Sequence, residues 1–189
     1  MKLYLVRHTA VNLPSGTCYG ISDIPLRDNW EDEAGVIASR LAHLNNAVVY
    51  SSPSKRCKLL AKKISNKVFL DKRLQELNFG KWELKPWDEI NGPTAEQWMN
   101  DFVHTRCEGG ESYLDLSKRV KSFLTDLTCT KRETAIIVSH AGVIRAIVAS
   151  VFDIPLKKSF EIKVDYGQIT PLYLLHNDTS GMLNFAGKI

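Results

Sequence analysis

A chain of 189 residues, 44% hydrophobic and 24% charged, is long enough to bury a sizeable core and matches ordinary folded domains. That balance excludes a disordered, collagenous or coiled-coil protein. Lys and Arg outnumber Asp and Glu by 25 to 21, and the net +4 suits a small anion such as phosphate without making the surface polycationic.

Lys2–Val6 is β-prone and almost continuously apolar, which predicts a short buried strand. Its apolar core, Leu3–Val6, is too short for a secretory signal. Thr9–Arg27 reads as a long loop, punctuated by Pro14, Gly16, Gly20, Asp23 and Pro25. Helical spacing of Trp30, Ala34, Ile37, Leu41 and Leu44 predicts a helix over Asp28–Leu44. Ala47–Tyr50 reads as a second strand, followed by a helix to Ile64 with Ser52 as N-cap and Pro53 as its first residue. Val68–Leu70 is a weaker strand candidate. An irregular, lid-like excursion spans about 76–111 and holds Trp82, Trp87 and Trp98, with one helix predicted where Thr94 and Gln97 have capping-box spacing. Ser112 opens a helix to Thr128, Thr134–Val138 is the cleanest buried strand, and Ala141–Val151 is helical. Strands are predicted at Phe160–Val164, Thr170–Leu175 and Leu183–Ala186, with a turn over Asn177–Gly181.

Alternating strands and helices imply a three-layer α/β/α sandwich in one domain over 1–189, its sheet mostly parallel with an antiparallel C-terminal tail. Cys18, Cys57, Cys107 and Cys129 form no C-x-x-C pair, so buried free thiols are expected. Ala135–Phe152 contains Ser139, His140, Arg145 and Ser150, which disqualifies it as a membrane span. A cytoplasmic chain with reduced thiols and no membrane partner is expected.

Ligands of open α/β sheets collect beyond the carboxyl ends of the strands, where this chain has Arg7 and His8, then Ser51, Ser52 and Arg56, then Ser139, His140 and Gly142. Arginine forks match phosphate oxygens, and helix N-terminal amides near Gly142 and Ser52 add positive potential. A histidine among such cations stays neutral, so His8 is the candidate nucleophile and His140 a second phosphate ligand. Either histidine alone is more often a hydrogen-bonded structural residue; the pair with its arginines is hard to explain as packing. Arg7 and Arg56 would repel a divalent cation, so no metal and no cofactor are expected. The Lys55, Lys58, Lys62, Lys63 and Lys67 series reads as a solvated helix face, and without interleaved aromatics it disfavours nucleic acid.

Val6-Arg-His-Thr9, Ser51-Ser-Pro-Ser-Lys-Arg56, Leu74 to Glu83, Gly109-Gly-Glu-Ser112 and Val138-Ser-His-Ala-Gly-Val-Ile-Arg145 resemble, in order, the motifs of the histidine phosphatase (phosphoglycerate mutase-like) superfamily. The resemblance implies a phosphohistidine on His8, phosphate held by Arg7, Arg56 and His140, and Glu76 as the acid that protonates the leaving oxygen. Glu83 and Glu111 are the competing carboxylates. Thr9 stands where the family has glycine, Ala10 where mutases have glutamate, Pro14 where an asparagine is frequent, and Leu84 where glycine follows the W-E pair. Asn12, Ser22 or a backbone amide are the candidates to replace the asparagine's contact. Gly16 to Leu26 resembles the C-Y-G-x-x-D loop of alpha-ribazole phosphatase-like proteins of cobalamin biosynthesis. Tyr19, Trp82 and Trp87 are candidate platforms for a flat heterocycle, with lid-pinning as the plainer role for at least two of them.

The expectation is therefore a phosphomonoesterase for a small phosphorylated substrate, alpha-ribazole 5′-phosphate first, as a monomer or homodimer. A broad sugar-phosphate phosphatase or a mutase is the alternative, and a silent phospho-ligand binding module the reading from another class.

Overall fold

The computed structural model describes residues 1–174. Five strands, β1 (Lys2–Arg7), β2 (Val48–Ser51), β3 (Val68–Leu70), β4 (Thr134–Ser139) and β5 (Ile169–Tyr173), form one sheet in the order β3-β2-β4-β1-β5. All neighbours are parallel except β5, which runs antiparallel to β1. Strands buried on both faces show as unbroken apolar runs, and the pleat sends alternate residues to opposite layers. Leu3, Leu5, Ala135 and Ile137 pack against α4 (Tyr113–Thr128) and α5 (Ala141–Val151). Tyr4, Val6, Val49, Ile136 and Val138 pack against α1 (Trp30–Leu41) and α2 (Lys55–Ile64). The architecture is the three-layer sandwich that the alternation of elements implies.

The first loop and the excursion share a third, smaller core of Cys18, Trp82, Ile90, Ala95, Trp98 and Cys107, built around α3 (Pro93–Asn100). Backbone hydrogen bonds stitch them together, from Cys18 to Lys85, from Leu84 to Cys18 and from Trp87 to Gly16, at 2.7–2.8 Å.

Four sequence expectations change. The helix after β2 starts at Lys55, with Ser54 at the N-cap position, because the Ser52 hydroxyl is engaged by Ser54 and His140. At α3 there is no Thr94–Gln97 box; Gly92, at φ 95°, takes the cap position and Pro93 opens the helix, a conformation that favours glycine. Phe160–Val164 is not a strand: a 3₁₀ turn covers Leu156–Glu161, and Phe160 instead packs edge-on against Phe102 and Tyr113. Alternating apolarity predicted a ladder where an aromatic cluster forms. Cys18, Cys57 and Cys107 are buried, but Cys129 is exposed at the end of α4. Leu183–Ala186 and the Asn177–Gly181 turn lie outside the described residues.

Candidate active site

Because β2, β4 and β1 are neighbours, their carboxyl ends deliver Ser51–Ser52, Ser139–His140 and Arg7–His8 to one crevice. The backbone continues the sheet's pairing one step further, with His8 N–H donating to Ser139 and Ser52 N–H to Val138, both at 3.0 Å. The rings of His8 and His140 therefore meet edge to face, 5.2 Å between centroids, and both are almost wholly buried.

His8 Nδ1 lies 2.8 Å from the Thr9 carbonyl. A carbonyl only accepts, so the proton sits on Nδ1 and the lone pair of Nε2 is left free. Burial, and then the Arg56 and Arg7 charges, hold His8 well below its ordinary pKa against the opposing pull of the Thr9 carbonyl. His140 is depressed in the same sense, first by burial and then by Arg56 and His8. Its Nε2 lies 2.8 Å from Ser52 Oγ and 3.5 Å from the buried Cys57 thiol.

Arg56 has no exposed surface. Its two terminal nitrogens donate to the carbonyls of Ser22 and Gly20. Arg7 donates through Nη1 to the Val164 carbonyl at 2.7 Å, and its guanidinium stacks on Tyr166, 3.7 Å from the ring centroid. The Nε of each arginine is buried without a partner, and so is the Thr9 hydroxyl. Buried donors are normally satisfied, so two orphaned guanidinium N–H groups, on the arginines whose charges act on both imidazoles, call for an explanation. Among the described residues no three His, Cys, Asp or Glu side chains converge as a metal cluster would require.

Glu76 reaches the same crevice from the excursion, its carboxylate accepting from Gly142 N–H and Leu77 N–H at 3.0 Å each. The first turn of α5 thus offers the Gly142 amide to Glu76 and not to a free anion. A Cβ at Gly142 would collide with the Glu76 carboxylate, which explains the glycine.

The competing carboxylates have other partners. Glu83 accepts from the amides of Gly20, Ile21, Ser22 and Phe79 at 3.0–3.2 Å, holding the first loop so that its carbonyls face Arg56. Its role is that of a clamp on this loop. Glu111 binds Arg119 and the Asn78 amide. Ser22 gives its amide to Glu83 and its carbonyl to Arg56, and Asn12 is exposed.

Tyr19 is at the site, its ring 5.5 Å from the Arg56 guanidinium and its hydroxyl 2.6 Å from that of Tyr166. Trp82 and Trp87 are packed against Trp98 in the third core, the lid-pinning role. Sequence reasoning missed Tyr166, Arg119 and the ligating part of Ser52. Nothing in local spacing marks Tyr166. For Arg119, the signal was a charge beside the apolar stripe of Leu116, Val120 and Phe123.

A sequence model described as the histidine phosphatase superfamily (branch 1) matches residues 3–182. Phosphoserine phosphatase 1 of Hydrogenobacter thermophilus is 28% identical over 185 residues, covering 92% of this chain and 87% of that protein. The adenosylcobalamin/alpha-ribazole phosphatase of Escherichia coli is 27% identical over 177 residues, covering 88% and 87%. The crystal structure of an Entamoeba histolytica phosphoserine phosphatase mutant in complex with phosphoserine superimposes with a TM-score of 0.81 at 26% identity, covering 93% of this chain and 91% of that one.

Proposed function

The chain belongs to the histidine phosphatase superfamily and is a phosphoric monoester hydrolase, and from that premise we propose that it works through a phosphohistidine on His8. His8 Nε2 attacks phosphorus in line. The phosphorus–oxygen bond breaks toward the leaving oxygen, Glu76 supplies that oxygen's proton, and the Glu76 carboxylate then takes a proton from the water that hydrolyses phosphohistidine. Arg7, Arg56 and His140 stabilise the equatorial oxygens as charge shifts. The observation that carries this reading is that Arg7 and Arg56, whose charges help hold His8 neutral, each keep a buried Nε–H without a partner. Turnover of p-nitrophenyl phosphate in EDTA tests it. The wild type should remain active and His8→Ala should lose at least about 10³-fold. Equal activity of the two removes His8 from the chemistry, and abolition by EDTA reinstates a metal.

For substrate we propose alpha-ribazole 5′-phosphate, supported by the Cys18–Asp23 loop, whose every feature serves to present Tyr19 at the site. Cys18 is buried, Gly20 has no space for a Cβ against the Leu77 carbonyl, and Asp23 accepts from the Lys55 amide at the start of α2. A phosphoserine-like ester is the second reading. It is favoured by the withdrawal of Trp82 and Trp87 into the third core, where both pack on Trp98 and not at the site as platforms for a heterocycle. Specificity constants for the two esters, measured side by side, decide between them.

A further inference from the structure

The loop that carries Glu76 lies between a 3₁₀ turn, Lys72–Leu74, and another at Gly80–Trp82, so its carbonyls have no helix or sheet ladder to join. One side chain on α4 takes the carbonyls where the first turn runs into the loop. Arg119 Nη1 donates to the carbonyls of Arg73 and Gln75, each at 2.7 Å, and Nη2 to the carbonyl of Glu76 at 2.9 Å. The Leu74 carbonyl between them accepts from Ser139 Oγ at 2.7 Å. Four consecutive carbonyls are thereby fixed, three by a single guanidinium.

Arg119 is itself held. Glu111 takes its Nε and Nη2 in a fork at 2.9 and 3.0 Å, while the same carboxylate accepts from the Asn78 amide on the far side of Glu76. The pair is about three-quarters or more shielded from water, at 19% and 25% side-chain exposure, so the interaction is stronger than a surface ion pair. The Glu76 carboxylate is meanwhile aimed at the N-terminus of α5 by the Gly142 amide.

We propose that Arg119, anchored by Glu111, is the positioning residue of the proton donor: it clamps residues 73–76 so that the Glu76 carboxyl meets the leaving oxygen. Arg119 touches no reacting atom. The inference rests on the reading of Glu76 as the acid that protonates the departing alkoxide while the phosphorus–oxygen bond breaks and phosphorus joins His8.

The test uses leaving-group dependence, which general loss of stability does not change. An alkyl ester such as glycerol 2-phosphate needs the proton, whereas p-nitrophenolate departs without it. Single-turnover cleavage rates of both esters are measured for wild type, Glu76→Gln, Arg119→Gln and Glu111→Gln, each first checked for a cooperative thermal transition. Glu76→Gln should lower the alkyl-to-aryl rate ratio by about 10²-fold or more. Arg119→Gln should lower it at least tenfold through kcat, with KM for the alkyl ester held within about threefold, and Glu111→Gln should fall between that variant and wild type. Should Arg119→Gln fail to fold, Glu111→Gln carries the test alone. A ratio unchanged in the folded Arg119 or Glu111 variants, with Glu76→Gln showing the loss, overturns the strap only. A ratio unchanged in Glu76→Gln overturns the acid assignment and the strap with it.

Discussion

Arg56 is among the largest side chains with no solvent exposure, and a buried cation survives only where its donors are met. Two loop carbonyls meet the terminal nitrogens, and Nε is buried without a partner. Arg7 is held differently, by one carbonyl and the face of Tyr166. Removing that face by Tyr166→Ala should raise KM for phosphate esters by roughly 3- to 30-fold, the span of a cation–π contact of about 0.5–2 kcal/mol. The inhibition constant of inorganic phosphate should rise in parallel, and a constant that does not move would take Tyr166 out of the site. Gly142→Ala forces the Glu76 carboxylate off the amide it accepts from. Its kcat should fall on the order of 10²-fold while the melting temperature stays close to wild type, read by steady-state kinetics and thermal denaturation. Arg7, His8 and His140 were legible because they sit at the ends of β1 and β4, and Arg56 because it follows the end of β2 in the first turn of α2. Tyr166 was not, since stacking across distant loops leaves no trace in local spacing.

At the scale of elements, α4 shows the clearest agreement between chain and structure. Ser112 Oγ accepts from the Asp115 amide and Asp115 Oδ2 accepts from the Ser112 amide, a reciprocal cap at the residue where the sequence opens the helix. Ser112→Ala should cost about 1 kcal/mol, seen as a lower midpoint in urea with an unchanged slope. The caps of α2 and α3 were misread for different reasons: the Ser52 hydroxyl is taken up by Ser54 and His140, and Gly92 with Pro93 starts α3 ahead of Thr94. In the third core Trp98 stacks on Trp87 and meets Trp82, Phe79 and Phe102 edge-on or tilted. Trp98→Ala should destabilise by about 3–5 kcal/mol, measured by denaturant titration, because no neighbour is free to fill the void. A loss under 1 kcal/mol would mean that this core contributes little to the cooperative unit.

Over the whole molecule, the two buried histidines link folding to pH. Both are held well below the ordinary imidazole value of 6.5 in the folded protein by burial and by Arg56. As pH falls through 6.5 the unfolded chain takes up protons that the folded chain refuses, so stability falls with decreasing pH. The slope is bounded at about 1.4 kcal/mol per pH unit for each histidine. The melting temperature should therefore drop from pH 7 to pH 5, a window above the titration of Asp71 and Asp115, whose carboxyls sit below their ordinary value beside Arg73 and Arg106. His8→Gln should flatten that drop by roughly half; an equal drop in the variant would assign the linkage elsewhere.

Up to α5 the order of strands and helices was determined by sequence alone, because burial on two faces forces continuous apolar runs and burial on one forces helical spacing. The residues at the strand ends were determined with it. Only the tertiary structure decided that Glu83 clamps the first loop, that Glu111 and Arg119 hold the segment bearing Glu76, and that Tyr166 covers Arg7. Hydrophobic periodicity is a property of neighbours in the chain. The choice of a hydrogen-bond or stacking partner belongs to neighbours in space, and a polar side chain in a loop carries no periodic signal of where its partner lies.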